Sequence, residues 1–117
     1  MTRIAIATLL AGALLGTSLG ESAQADETAE ALYSRYHRAI EAAEQCRKRS
    51  FSDEDQARMG GVIDAKIEHR IGAKRLSLLT RAQREARDLV QKQGCSGNDV
   101  SALLALFDQD LAPALSQ

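Results

Sequence analysis

Between positions 27 and 44, Glu27, Glu30, Ser34, His37, Glu41 and Glu44 recur at alternating steps of three and four residues. Steps of this kind place side chains on one side of an α-helix, so the His37 imidazole can meet the Glu41 and Glu44 carboxylates within adjacent turns. Carboxylates joined by one imidazole are ligands for a divalent or trivalent cation, and a hard ion such as calcium or a lanthanide needs several such oxygens. Glu27, Glu30, His37, Glu41 and Glu44 are therefore the candidate metal set. The same spacing is also that of a solvated polar face, on which Glu44 and Lys48 would form an ordinary helix ion pair.

Other charged groups offer less. Asp53, Glu54 and Asp55 could add ligands, with Asp108 and Asp110 closing a site across a bundle, but no D-x-D-x-D-G loop ending in glutamate is present. An acidic first helical turn is already explained by capping and by the helix dipole. Basic residues group at Arg47-Lys48-Arg49, at Lys74-Arg75 and along Arg81, Arg84 and Arg87. Glu85 and Asp88 are interleaved with the last group, which points to pairing within the helix rather than to an anion patch. The catalytic inventory is nearly empty: the two histidines are His37 and His69, and neither G-x-S-x-G nor H-E-x-x-H occurs. A small bundle is not expected to enclose a pocket of several hundred Å³, and no enzyme is expected here.

The cysteines carry covalent rather than catalytic chemistry. Cys46 and Cys95 are the only two, so one intramolecular pairing is available to them, and no C-x-x-C spacing marks a redox pair. Closing that loop of about 50 residues would contribute roughly 4 kcal/mol in the chain-entropy picture.

Residues 1–25 set the compartment. Met1-Thr2-Arg3 is followed by the uncharged apolar run Ile4 to Gly16, which is too short for a hydrocarbon core of about 30 Å that takes roughly 20 apolar residues to cross. Small polar residues then end in Ala23-Gln24-Ala25, so the segment reads as a secretory signal peptide cleaved after Ala25, with no stable membrane anchor. The remainder, 26–117, is a single helical domain. Removing Arg3 and Glu21 from the totals of 15 basic and 16 acidic residues leaves 14 and 15, a balance that implies no general attraction to nucleic acid or anionic lipid.

The elements that position these groups are helices throughout. Aromatic residues make up 3% of the chain and alternation is absent, so strands are not expected. The spacing predicts a first helix from about Thr28 to Arg47, buried through Leu32, Tyr36, Ala39, Ile40, Ala43 and Cys46. Ser52 caps a second helix that buries Met59, Ile63, Ile67 and Ile71 and stops at Gly72. The Gly60-Gly61 pair inside it predicts either close approach of another helix or a bend. A third helix spans about Ala73 to Gln93, with Leu76, Leu79, Ala82, Ala86, Leu89 and Val90 inward and Thr80 as an alternative start. Gly94 ends it. Ser96 with Asp99 starts a fourth, buried through Val100, Leu103, Leu104, Phe107 and Leu111 and limited by Pro113. The fold class is all-α: a small, disulfide-stapled bundle of three to four helices after a cleaved signal peptide.

In layout, an exported helical domain of this size with one long-range disulfide is similar to the small periplasmic acid-stress chaperones of the HdeA type. No motif carries that likeness, and it assigns no residue a role. Two functional expectations follow. The first is an exported, non-catalytic binding protein of the periplasm, acting as chaperone, adaptor or inhibitor through a helical surface, with a protein partner or a second copy in a homodimer. The alternative is a periplasmic carrier of a hard metal cation on the acidic face of the first helix; no other cofactor is required.

Overall fold

The computed structural model describes residues 18–116. Every regular element among them is helical: α1 (Ser18–Arg47), α2 (Asp53–Lys66), α3 (Arg75–Gln93), α4 (Asn98–Leu106), a wider π-helical turn (Phe107–Leu111) and the short α5 (Ala112–Leu115). Most of the expected signal peptide, residues 1–17, lies outside the described residues. The backbone of α1 begins well ahead of Thr28, through a run in which Leu19, Glu21, Ala23, Gln24 and Ala25 favour helix. Among the described residues no helix is long and apolar enough to cross a membrane.

Helix α1 is the axis of the bundle. It packs along α3 and α4 and touches the π turn, while α2 closes the remaining side against α5 and the π turn. Because neighbours flank α1 on several sides, its buried residues exceed one stripe: Ala29, Tyr33 and Ala42 join Tyr36, Ala39 and Ala43, and Leu32 and Ile40 sit at the core's edge. The core continues through Met59, Ile63, Ile67 and Ile71, through Ala82 and Ala86, and through Val100, Leu103, Phe107 and Leu111. Phe51, in the loop between α1 and α2, is buried with its ring 5.5 Å from that of Phe107.

Cys46 and Cys95 are joined, with Cα atoms 5.7 Å apart. The bond ties the end of α1 to the turn before α4. A disulfide of this kind belongs with an oxidising, non-cytoplasmic compartment.

Helix ends meet expectation at Ser52 and Gly94 and depart from it in three places. Ser52 caps α2, its Oγ accepting from the Asp55 N–H at 3.1 Å. At its other end α2 stops at Lys66 rather than at Ile71, because Glu68 and His69 both take φ near +56° and turn the chain left-handed, bringing Ile71 back onto the core beside Ile67. Helix α3 starts at Arg75, so Thr80 lies inside it, and Leu78 rather than Leu76 faces the core; Leu76 stays 72% exposed. Gly94, at φ +76°, ends α3 as expected. The cap of α4 is not Ser96. Gly97 takes that position, and the Gln93 side chain reaches across it, accepting from the Asp99 N–H at 3.2 Å and donating to the Asp99 carboxylate at 2.8 Å.

Pro113 has no N–H to donate back along the helix, and the chain meets it with the π turn Phe107–Leu111, after which the proline sits in the first turn of α5. The expected close packing at Gly60 and Gly61 is absent: a Cβ at either would meet nothing within 4 Å.

Candidate functional site

The C-terminal half of α1, the loop after it, the start of α2 and the middle of α3 enclose an open cleft of about 570 Å³. This is larger than a bundle of four short helices was expected to hold, and its cause is the loop. Lys48 takes φ +50°, which ends α1, and Phe51 is drawn into the core, so α2 departs at an angle that leaves the face of α1 carrying His37, Glu41 and Glu44 uncovered between α2 and α3. The floor includes Ile40, Phe51, Met59 and Leu79, and the rim carries Lys48, Arg49 and Arg87.

The three polar groups on α1 have different surroundings. Glu41 is only 5% exposed. Its Oε2 accepts from Arg87 Nε at 3.0 Å and from Gln45 Nε2 at 2.8 Å, which compensates the cost of burying a carboxylate. Glu44, one turn further on, makes no ion pair among the described residues. Burial and the neighbouring Glu41 charge push its carboxyl above the usual range, opposed by a hydrogen bond from the Phe51 N–H and by Arg87. The expected Glu44–Lys48 helix pair is not formed, because Lys48 has already left the helix.

His37 is held at a pKa of about 4, first by burial, then by the positive charge of Arg75, with Asp64 opposing. Its ring lies 4.4 Å from that of Tyr33. Tyr33 in turn donates to the Arg75 carbonyl at 3.4 Å, and the Arg75 guanidinium lies over the Tyr33 ring while pairing with Asp64 at 3.1 Å. This network joins α1, α2 and α3 at the closed end of the cleft. His37 is thus a neutral wall of the site at ordinary pH rather than a titrating group.

The structure brings together three of the five candidate metal residues. His37, Glu41 and Glu44 line the cleft, whereas Glu30 lies outside it and pairs with Lys74 at 3.5 Å. The Glu27 side chain lies outside the described residues. Among the described residues no group of three or more histidine, cysteine, aspartate or glutamate side chains is arranged to hold a metal ion. Asp108 and Asp110 serve the fold: Asp108 forms a two-pronged pair with Arg47, which lowers its carboxyl, and Asp110 accepts from the Tyr36 hydroxyl at 2.6 Å. Burial and that carboxylate push the Tyr36 phenol up to about 12. Glu54 pairs with Arg58 at 2.7 Å, in the first turns of α2 and away from the cleft.

The basic residues of α3 also behave differently from expectation. Arg87 and Glu85 do not pair within the helix; each reaches to α1, Arg87 to Glu41 and Glu85 to Arg38 at 3.3 Å. His69 is exposed, between the charged residues Glu68 and Arg70.

Comparison with family models, with curated proteins and with solved structures finds nothing that matches this chain. The site therefore rests on its own geometry. Periodicity located the α1 face but not the cleft's other walls. Phe51, Gln56, Met59, Leu79 and Gln83 come from three separate segments; the helical spacing marked Met59 and Leu79 as inward-facing, but nothing in the sequence set any of the five beside the α1 face.

Proposed function

We propose that this chain is a small, exported, non-catalytic binding protein of the periplasm whose working surface is the cleft between α1, α2 and α3. The observation that carries this reading is the cleft: about 570 Å³, within the roughly 300–1,000 Å³ typical of sites that seat small ligands. It combines an apolar floor with a few fixed polar groups, the combination that gives a binding site both affinity and orientation. Such a cleft suits one anchoring side chain of a protein partner, the means by which a chaperone, adaptor or inhibitor of this size would act. A broad apolar face is less suited to the role, since Leu76 is the one large hydrophobic residue exposed among the described residues.

Export is supported by the leader pattern of residues 1–25 and by the disulfide. A binding role rather than acid–base catalysis is supported by His37, which is neutral at ordinary pH, and by Glu41, which is committed to Arg87. The hard-cation carrier gains no specific observation, because Glu30 and Glu41 each hold a basic partner.

A thermal-shift screen of residues 26–117 tests the reading, using acetylated tripeptides in one arm and calcium, zinc and lanthanum chlorides in the other. Tripeptides that raise the Tm of the native chain but not of a Gln83→Trp variant, whose indole fills the cleft, are the expected result. Metal-dependent rises abolished by Glu41→Gln, with none from any tripeptide, would overturn it in favour of the cation carrier.

A further inference from the structure

The charges around the cleft are not distributed evenly, and their arrangement describes a ligand. Glu41 is answered by Arg87 and Gln45, whereas its neighbour Glu44 accepts the Phe51 N–H and feels the Arg87 charge without pairing to it. A half-buried carboxylate next to a second carboxylate, without a cation of its own, leaves room for one positive group. At the same mouth of the cleft, Lys48 and Arg49 make no ion pair among the described residues. Arg49 is placed there by its own backbone, whose N–H donates to the Glu44 carbonyl at 3.2 Å, and by its guanidinium, which lies 4.7 Å from the Phe51 ring centre. The same cleft is lined by Ile40, Met59 and Leu79, which supply apolar surface beside these charges. The complement of such a surface is a molecule with a cationic head, an alkyl stem and a carboxylate.

We propose that the cleft is a site for a basic amino acid with a free α-carboxylate, its ammonium or guanidinium head on Glu44, its stem over Met59 and Leu79, and its carboxylate on Lys48 and Arg49. The ligand is lysine or arginine, either as the free amino acid or as the C-terminal residue of a peptide. This assignment rests on the cleft being the working surface, and it narrows what that surface takes.

Calorimetric titration of residues 26–117, with the disulfide intact, tests the assignment. The probes are L-lysine, L-arginine, L-norleucine, acetyl-Ala-Ala-Lys with a free carboxylate and the same peptide as its amide. Lysine, arginine or the free-acid peptide binds; norleucine, which lacks the cationic head, and the amide, which lacks the carboxylate, bind at least about tenfold more weakly, as loss of a charge-assisted contact requires. Glu44→Gln, which keeps an oxygen for the Phe51 N–H and so preserves the loop, weakens the basic probes to the level of norleucine. A Lys48→Ala, Arg49→Ala double variant weakens the free acid to the level of its amide. Tighter binding of lysine than of the peptide assigns the free amino acid, and the reverse order assigns a peptide C-terminus.

Equal binding of norleucine and lysine, or affinity for the basic probes unchanged by Glu44→Gln, would overturn the assignment. If none of these probes binds while other tripeptides still register in the cleft, the ligand class is wrong and the binding role stands. If nothing binds in the cleft, both fall.

Discussion

Acid should weaken this fold through one side chain, and the size of the effect can be worked from the site. Burial holds His37 at a pKa of about 4 in the native chain against an ordinary value of 6.5. Between those values the unfolded chain takes up a proton that the native chain refuses, so stability must fall as pH drops through that window and must be fully present above it. At about 1.4 kcal/mol per pH unit, the shift is worth about 3 kcal/mol, lost between pH 7 and pH 4. The groups facing the ring are Arg75 and Asp64 from α3 and the end of α2, and Glu41, Glu44 and Arg87 along the cleft. Glu44 acts in the opposite sense, because its raised pKa means that the native chain binds its proton more readily than the unfolded one. The comparison that isolates His37 is therefore between the native sequence and His37→Phe, which keeps a ring against Tyr33. Urea unfolding followed by far-UV circular dichroism, in half-unit steps from pH 7.5 to 4, is the assay. The native sequence should lose about 3 kcal/mol more than the variant across that range. Parallel profiles would refute the claim that His37 is held neutral by burial.

Four further outcomes follow from changes at Gly97, at Gly61, at the disulfide and at Glu44. Gly97→Ala puts a Cβ 2.4 Å from Gln93 Cβ and displaces the side chain that caps α4, so urea unfolding should show a loss of about 1 to 2 kcal/mol; Gly61→Ala, which meets open space, should instead gain about 0.5 to 1 kcal/mol. Replacing Cys46 and Cys95 together by serine opens a bond between residues 49 apart in sequence and should lower stability by up to about 4 kcal/mol in the same assay. Glu44→Gln should raise Tm at pH 7 by removing a poorly compensated carboxylate, and calorimetry should show the gain shrinking as pH falls through the native pKa of Glu44, which lies above the usual carboxylate range.

Helix existence and the staple were legible because they depend on local signals. Met59, Ile63, Ile67 and Ile71 recur at one helical spacing and are all buried, and two cysteines leave one pairing. Helix ends were less legible. The left-handed turn at Glu68 and His69 has no glycine or asparagine to mark it, and the Gln93 cap on α4 spans a turn no short motif describes. The site was half legible. The spacing of His37, Glu41 and Glu44 placed them on one face, but the identity of that face was set by tertiary packing: α1 is flanked on several sides, so what periodicity presents as a solvated stripe became the wall of a cleft. Arg87 shows the same limit. Its neighbours in sequence, Glu85 and Asp88, suggested pairing along α3, whereas its partner Glu41 lies across the bundle, 46 residues away.

The proposed function stands or falls with ligand entry between α1, α2 and α3. Amide chemical-shift mapping of ¹⁵N-labelled residues 26–117 during titration with acetylated tripeptides tests it most directly. The predicted result is a set of perturbed amides confined to the Glu41–Phe51 stretch, Gln56, Met59, Leu79, Gln83 and Arg87, abolished by Gln83→Trp. Perturbations centred on α4 and the π turn, or an unperturbed cleft across the whole series, would contradict it.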